Sequence, residues 1–267
     1  MNMRKNILFL VAYLFFSVAS AFADEQPAAQ PENQPTDLVQ LKAEADSAYT
    51  KENYEEAMQK YALIADSVRD ARVFYNLGCC YYRLDDMARS VLWFERAYLL
   101  NPGDHDIRFN LDMARSKTID RITPRHEMFF VALYRQIVNM MSLQQWAVVC
   151  LVMFMLVLLS LGLFFFSKHY SFRKAGFYLS ILFVILTVFG NVCAYQQKSF
   201  LKNRRSGIIM SPAVTVKSTP SENGNDLFVL HEGTKVYIND NEMKDWCEIK
   251  IADGKVGWIQ RKEMELI

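Results

Sequence analysis

Two long apolar stretches dominate the second half of the chain. They run from Trp146 to Phe166 and from Ala175 to Tyr195, and neither contains an acidic or basic residue. Each can cross a bilayer as a helix, which takes roughly 20 residues. Because Ser167–Lys174 is the whole connection between them, the pattern predicts a hairpin of two membrane spans. An even number of crossings places the preceding and following segments on the same side of the membrane.

The first residues of the chain carry an export pattern. Arg4 and Lys5 precede the apolar stretch Ile7–Val18, which is too short to span a bilayer comfortably, and Ala21-Phe22-Ala23 follows it. A charged start, a short apolar stretch and small residues at a cleavage site are typical of a secretory signal peptide, here residues 1–23. The sequence therefore predicts that everything between this signal and the first span is exported.

Charges beside the spans bear on their orientation. The connection at 167–174 would be cytoplasmic, and its Lys168, Arg173 and Lys174 agree with the rule that basic residues stay inside. The linker at 196–206 is also basic and disagrees with that rule. Because a leading export signal usually dominates, we expect two spans in a bacterial inner membrane, with both soluble parts on the periplasmic side.

Residues 37–118 follow a helical pattern that repeats, after a Pro-, Gln- and Glu-rich segment at 24–36 that we expect to be a flexible tether. The clearest copy places apolar and small residues at helical spacing and ends in a proline: Phe74, Leu77, Gly78, Tyr81, Phe94, Ala97 and Pro102. This spacing resembles the tetratricopeptide repeat, a pair of helices. A weaker copy lies 33 residues earlier, and a partial third copy from His105 is predicted to cap the stack.

Stacked helix pairs leave a surface formed by the first helix of each repeat. Six side chains on this surface are candidates for binding a partner: Tyr49, Arg72, Tyr75, Asn76, Tyr82 and Arg83. Three more residues share it: Lys42, Asp46 and Cys79. The hypothesis is a groove for a peptide or a partner helix, because such repeats rarely serve another purpose. For any single residue, a solvated helix face is the alternative.

The segment 119–145 joins the repeats to the first span. After Pro124, apolar residues recur at helical spacing on the side opposite Arg135, Gln136 and Asn139. An amphipathic helix beside a span usually lies in the interface plane of the membrane. Packing against a partner protein is the alternative.

The C-terminal residues 207–267 change character. Five short alternating stretches, separated by turn residues, predict strands and a small all-β barrel. The order VTVKSTP, HEGTKVYI and WCEIKIADGKVGWI resembles the bacterial SH3 domain. Alternation directs Cys247 inward and Tyr237 and Trp246 outward, where with Trp258 they could line a peptide or glycan groove. A packing role is the alternative for both tryptophans.

The residues that carry chemistry give no sign of catalysis. Four His lie in four different segments, and no motif of a nucleophile, a phosphate loop or a metal site accompanies them. The five Cys form no disulfide framework, although the adjacent Cys79 and Cys80 leave a redox sensor as a distant alternative. The net charge of +1 is too small to attract nucleic acid. We therefore expect a protein that is not an enzyme and needs no cofactor or metal.

The order of the parts adds a family resemblance. A signal peptide, a repeat pair, an amphipathic segment, a two-span hairpin and an SH3-like barrel, with the stretch KSTPSENGNDLFVLHEGTKV, together resemble the BatE family of Bacteroides aerotolerance membrane proteins. The resemblance implies a multidomain inner-membrane protein encoded beside von Willebrand A-domain membrane proteins, with a role in tolerance of oxygen or envelope stress. We therefore expect a scaffold that holds protein partners. The alternative is a peptidoglycan tether that acts through the SH3 domain.

Overall fold

The computed structural model of the chain describes residues 35–123, 128–202, 206–240 and 243–267. These residues form two compact units. One unit contains Leu133–Phe200, and the other joins the described parts of 31–132 to those of 201–267. The expected signal peptide, nearly all of the expected tether and Pro124 lie outside the described residues.

Five helices form the repeat region, and each contacts the next along the chain. They are α1 (Pro35–Thr50), α2 (Tyr54–Ser67), α3 (Ala71–Arg83), α4 (Met87–Leu100) and α5 (His105–Lys117). Their facing sides bury small and aromatic residues that the sequence pattern assigned to the core: Ala45, Ala48, Ala57, Tyr61, Leu77, Phe94 and Ala97. Two helix pairs followed by a single helix is the arrangement that the sequence predicts.

The turns inside the two helix pairs have the same backbone. Glu52 and Asp85 both adopt the left-handed region, with φ of 61° and 62°. The residue after each, Asn53 or Asp86, caps the next helix by accepting a backbone N–H. A left-handed residue explains why glycine suits this turn. The same geometry 33 positions apart confirms the internal repeat.

The C-terminal residues form one seven-stranded antiparallel sheet. Its strands are β1 (Ser206–Ile209), β2 (Ala213–Lys217), β3 (Asp226–His231), β4 (Lys235–Asp240), β5 (Trp246–Lys250), β6 (Val256–Gln260) and β7 (Met264–Leu266). They lie in the order β3-β2-β6-β5-β4-β1-β7. The five predicted strands are present as β2 to β6, and Val236, Ile238, Cys247 and Ile249 are buried as alternation requires. The pattern missed β1 and β7 because they are four and three residues long, too short to show alternation. A closed SH3-like barrel stays a prediction.

Three helices lie between the repeats and the sheet in the chain. They are α6 (Phe129–Val138), α7 (Leu143–Phe166) and α8 (Tyr170–Lys202). By length and composition, α7 and α8 could each cross a membrane.

These helices differ from the expected boundaries in three places. Within 119–145, α6 ends at Val138 and α7 begins at Leu143, because Ser142 and Gln145 form a reciprocal cap there. The connection between the long helices is 167–169 rather than 167–174. The expected linker 196–206 is helical as far as residue 202, since it holds no Gly or Pro over that length.

Candidate partner-binding surfaces

The first helices of the repeats, α1, α3 and α5, present the surface that the sequence assigns to partner binding. We call this surface the inner face and define it by the nine residues named for it above together with Asn110. A chain of polar contacts crosses it. Lys42 pairs with Asp46 at 2.8 Å, the Tyr61 hydroxyl donates to Asp46, and Asn76 Nδ2 donates to the Tyr61 hydroxyl at 3.0 Å. Asn76 therefore helps to join α3 to α2 as well as lining the surface.

The tyrosines of the inner face are also held by neighbours. The Tyr75 hydroxyl accepts a hydrogen bond from Asn110 Nδ2 at 3.0 Å, which links α3 to α5. Tyr82 is half-buried, and Lys117 Nζ lies 4.1 Å from the centre of its ring. Such contacts hold the rings in place, and a rigid aromatic ring binds a partner with little loss of conformational freedom.

The two arginines of the inner face lie near opposite ends of α3. Arg83 lies 5.8 Å from the centre of the Tyr54 ring, and its interaction with Tyr49 raises the pKa of the guanidinium. The Arg72 side chain is 83% exposed and lies 3.6 Å from Asp70. Arg72 is therefore well exposed for a partner, and an arginine contributes strongly when an interface buries it.

The adjacent cysteines do not have the setting of reactive thiols. Burial raises the pKa of Cys79 to about 11, although Tyr75 and Arg83 oppose the rise, and burial raises the pKa of Cys80 to about 12. Because the thiolate is the reactive form, both groups are poor nucleophiles near neutral pH. This setting counts against a redox sensor at this pair.

The outward face of the sheet carries two of the three predicted aromatic residues as neighbours. In register, Trp246 lies opposite Gln260 and Trp258 lies opposite Glu248, so the tryptophans are diagonal neighbours on β5 and β6. Tyr237 lies opposite Lys250, which is four residues, or about 13 Å, along the strand from Trp246. The structure therefore does not bring Tyr237 to the tryptophans.

Trp246 also lines a cleft of about 290 Å³. Its polar lining includes Lys217, Glu222, Gln260 and Glu263. An aromatic ring beside hydrogen-bonding side chains suits a polar ligand such as a glycan or a peptide. Trp258 lies outside the lining of this cleft.

A buried carboxylate joins the repeats to the sheet. Glu95 of α4 is 1% exposed and pairs with Arg115 of α5 and with Lys235 of β4, the latter at 2.7 Å. Burial alone would raise the pKa of Glu95, but the two cations outweigh burial and lower it. The group is therefore a charged carboxylate held between two parts of the fold that lie 140 residues apart.

A second set of polar contacts lies beside the first. Asp120, just after α5, accepts hydrogen bonds from the His231 backbone N–H and from the Thr234 hydroxyl, both at 2.7 Å. Burial acts to raise the pKa of Asp120, but the hydrogen bonds from His231 and Thr234 outweigh it and lower that pKa. Arg96 of α4 pairs with Glu265 of β7 at 2.8 Å.

Apolar packing completes this junction between α4, α5 and the sheet edge. The cluster contains residues from both parts: Val91, Leu92, Phe94, Leu111, Ala114, Ile208 and Ile267. At Gly233, whose φ is 81°, an added Cβ would lie 2.6 Å from Thr118 Cγ2. Close approach and a left-handed backbone both require glycine there. The sheet therefore packs on the repeats as part of one unit.

Residues 71–104, which are helices α3 and α4 with their flanking turns, match the model of the tetratricopeptide repeat family. The chain contains a tetratricopeptide repeat. No curated protein matches the chain. Tetratricopeptide repeats imply a module for protein–protein interaction.

Two residues of the tetratricopeptide repeat have roles that the structure makes clear. A Cβ on Gly78 would lie 2.7 Å from Phe94 Cδ1, which confirms that the helices touch at this glycine. Ser90 is fully buried, and its hydroxyl donates to the Gly78 carbonyl at 3.0 Å. The serine thus adds a hydrogen bond between α3 and α4 at a position where alanine is usual.

Sequence reasoning missed the junction and its buried carboxylate. One signal was present, because Glu95 follows Val91 by four positions and so shares its apolar helix face. An acidic residue on a buried face needs a cationic partner. The pattern could not name Lys235 as that partner, since a contact across 140 residues leaves no local periodicity.

Proposed function

We propose that this chain is a membrane-anchored scaffold without enzymatic activity, which binds protein partners on the inner face of its tetratricopeptide repeats. One observation carries the proposal. The sheet packs on α4 and α5, while Arg72 on α3 stays 83% exposed. Tyr75, Cys79 and Tyr82 of the inner face pack against the cluster that joins the repeats to the sheet, while Arg72 stays open to another protein.

Contacts at the junction support an even number of membrane crossings. The repeats precede α7 and α8 in the chain, and the sheet follows them. With a single crossing the two parts would lie on opposite sides of the membrane, and Glu95 could not reach Lys235. An even number of crossings keeps them together, and the length and composition of α7 and α8 favour two. Following the export pattern, we propose the inner membrane as the location and the periplasmic side for both parts.

The BatE resemblance supports a narrower form of the proposal. In that form the partners are von Willebrand A-domain membrane proteins of the Bat type, and the assembly serves tolerance of oxygen or envelope stress. The order of the segments and the SH3-like strand pattern are the support for this step.

Capture of partners in native membranes tests the scaffold. Crosslinking followed by mass spectrometry would identify the proteins bound to the full chain. We expect Arg72→Glu to reduce capture roughly fivefold or more, because a central interface arginine typically contributes over 1 kcal/mol. Arg108→Glu makes the same charge change at an exposed position of α5 away from the inner face and should leave capture unchanged. Equal capture by the two variants would contradict the proposed binding surface.

A reporter fusion tests the topology. Alkaline phosphatase attached after Ile267 should be active, because that enzyme requires the periplasm. A reporter that works only in the cytoplasm should be silent at the same position. The opposite pair of results would overturn the orientation.

The Trp246 cleft favours a second candidate function, in which the sheet tethers the chain to peptidoglycan. The test needs the full chain in detergent, since an isolated sheet would expose Ile208 and Ile267. If the sheet is a tether, the chain should sediment with purified peptidoglycan, and Trp246→Ala should reduce that sedimentation. Phe109→Ala, a change at an exposed ring on α5, should not reduce it. Absence of sedimentation would contradict the tether and leave the scaffold for protein partners as the proposed function.

A further inference from the structure

Helix α6 exposes an unusually apolar surface. Phe130 is 80% exposed and Phe129 is 72% exposed, and Leu133 and Tyr134 are exposed as well. No Asp or Glu occurs between Met128 and Ser142. Large exposed apolar surfaces mark sites that bind a protein, a ligand or a membrane.

The end of α6 is fixed against the two long helices. Val138 is buried in a cluster with Trp146 of α7 and with Cys193 and Ala194 of α8. The Trp146 indole Nε1 donates to the Val138 carbonyl at 3.0 Å, which ties the last turn of α6 to the first turn of α7. We call this contact the three-helix junction. It determines where α6 lies along the hairpin.

The position of the junction matches one edge of the apolar part of the hairpin. From Trp146 to Phe166, α7 rises about 30 Å at 1.5 Å per residue. From Ala175 to Cys193, α8 rises about 27 Å by the same measure. The hydrocarbon core of a bilayer is about 30 Å thick. A junction at this end of both helices therefore lies where a spanning hairpin leaves the hydrocarbon.

We propose that α6 lies in the interface of the lipid bilayer, at the depth set by the three-helix junction, with Phe129, Phe130, Leu133 and Tyr134 in contact with acyl chains. The occupant of this surface is lipid. Continuity with the hairpin brings the helix to the membrane surface, and the exposed aromatic rings suit the interface. The inference rests on the proposed membrane anchoring, and it adds a third contact of the chain with the membrane.

Photo-crosslinking of the full chain in vesicles tests this inference. The vesicles contain phosphatidylethanolamine and phosphatidylglycerol, and the photoreactive residue p-benzoylphenylalanine replaces one side chain at a time. Phe130→p-benzoylphenylalanine reports on α6, and the same change at Phe109, an exposed ring on α5, is the matched control. The same change at Val152, an exposed position on α7, reports on the hairpin itself. Mass spectrometry then distinguishes lipid adducts from protein adducts.

We expect lipid adducts at positions 130 and 152 and none at position 109. Adducts at 152 without adducts at 130 would overturn the interfacial helix and leave the hairpin intact. Protein adducts at 130, to a second copy or to an added membrane extract, would assign the surface to a protein and also overturn the inference. Absence of lipid adducts at 152 would overturn the proposed anchoring and, with it, this inference.

Discussion

The buried carboxylate of Glu95 provides the sharpest test of how the repeats and the sheet are joined. Glu95→Gln keeps an acceptor oxygen but removes the negative charge that faces Arg115 and Lys235. Leaving a buried charge without its partner typically costs roughly 3–5 kcal/mol. The two cations here are 41% and 23% exposed, so water can partly restore their solvation. We therefore expect a loss near the lower limit, about 3 kcal/mol.

Urea unfolding of the full chain in detergent, monitored by tryptophan fluorescence, measures this loss in the free energy of unfolding. Glu232→Gln is the matched control, because Glu232 is an exposed carboxylate in the turn before β4. A surface change of that kind should shift the free energy of unfolding by no more than about 0.5 kcal/mol.

A double-mutant cycle tests the contact across the junction. If Glu95 and Lys235 interact as the structure shows, Glu95→Leu and Lys235→Met should together cost less than the sum of the single changes, by about 1–3 kcal/mol. Strict additivity of the two changes, or an effect of Glu95→Gln no larger than that of Glu232→Gln, would refute the reasoning.

Three further predictions concern other parts of the same unit. Because its pKa is lowered in the folded state, the Asp120 carboxylate stabilises the fold fully above its unfolded pKa of about 3.9 and progressively less as the pH falls through the folded value. The urea concentration at the unfolding midpoint should therefore decrease when the pH is lowered below about 4. Asp120→Asn should remove part of that decrease. Gly78→Ala should cost about 1–3 kcal/mol in thermal unfolding, because the added Cβ meets Phe94, and a neutral result would contradict the close contact. Glu52→Gly should raise the melting temperature by the equivalent of up to about 1 kcal/mol, since glycine adopts the left-handed turn without strain, and a lower melting temperature would contradict that account.

Local signals in the sequence were sufficient for most of the elements. The spacing around Gly78 and Phe94 predicted a helix pair, and the structure confirms the contact between these two residues. Alternation predicted five strands and the burial of Cys247. These predictions succeed because helical and strand periodicity are properties of short segments, in which neighbours along the chain determine which side chains share a face.

The candidate site was predictable only in part. The sequence placed Arg72 and Asn76 on one face of α3, and the structure leaves Arg72 exposed while Asn76 donates to Tyr61 of α2. It grouped Tyr237 with the tryptophans, whereas the strand register separates them. Register depends on which residues pair between strands, and alternation within one strand does not contain that information.

The sequence by itself determined the helix pairs, the two apolar helices and five of the seven described strands, because each is encoded in local periodicity. Tertiary structure alone decided that the repeats and the sheet form one unit. That result depends on Glu95 meeting Lys235 and on Asp120 meeting His231 across more than 100 residues. Such contacts stabilise the fold only when distant segments bring complementary charges and apolar surfaces together, and no local pattern records which segments will meet.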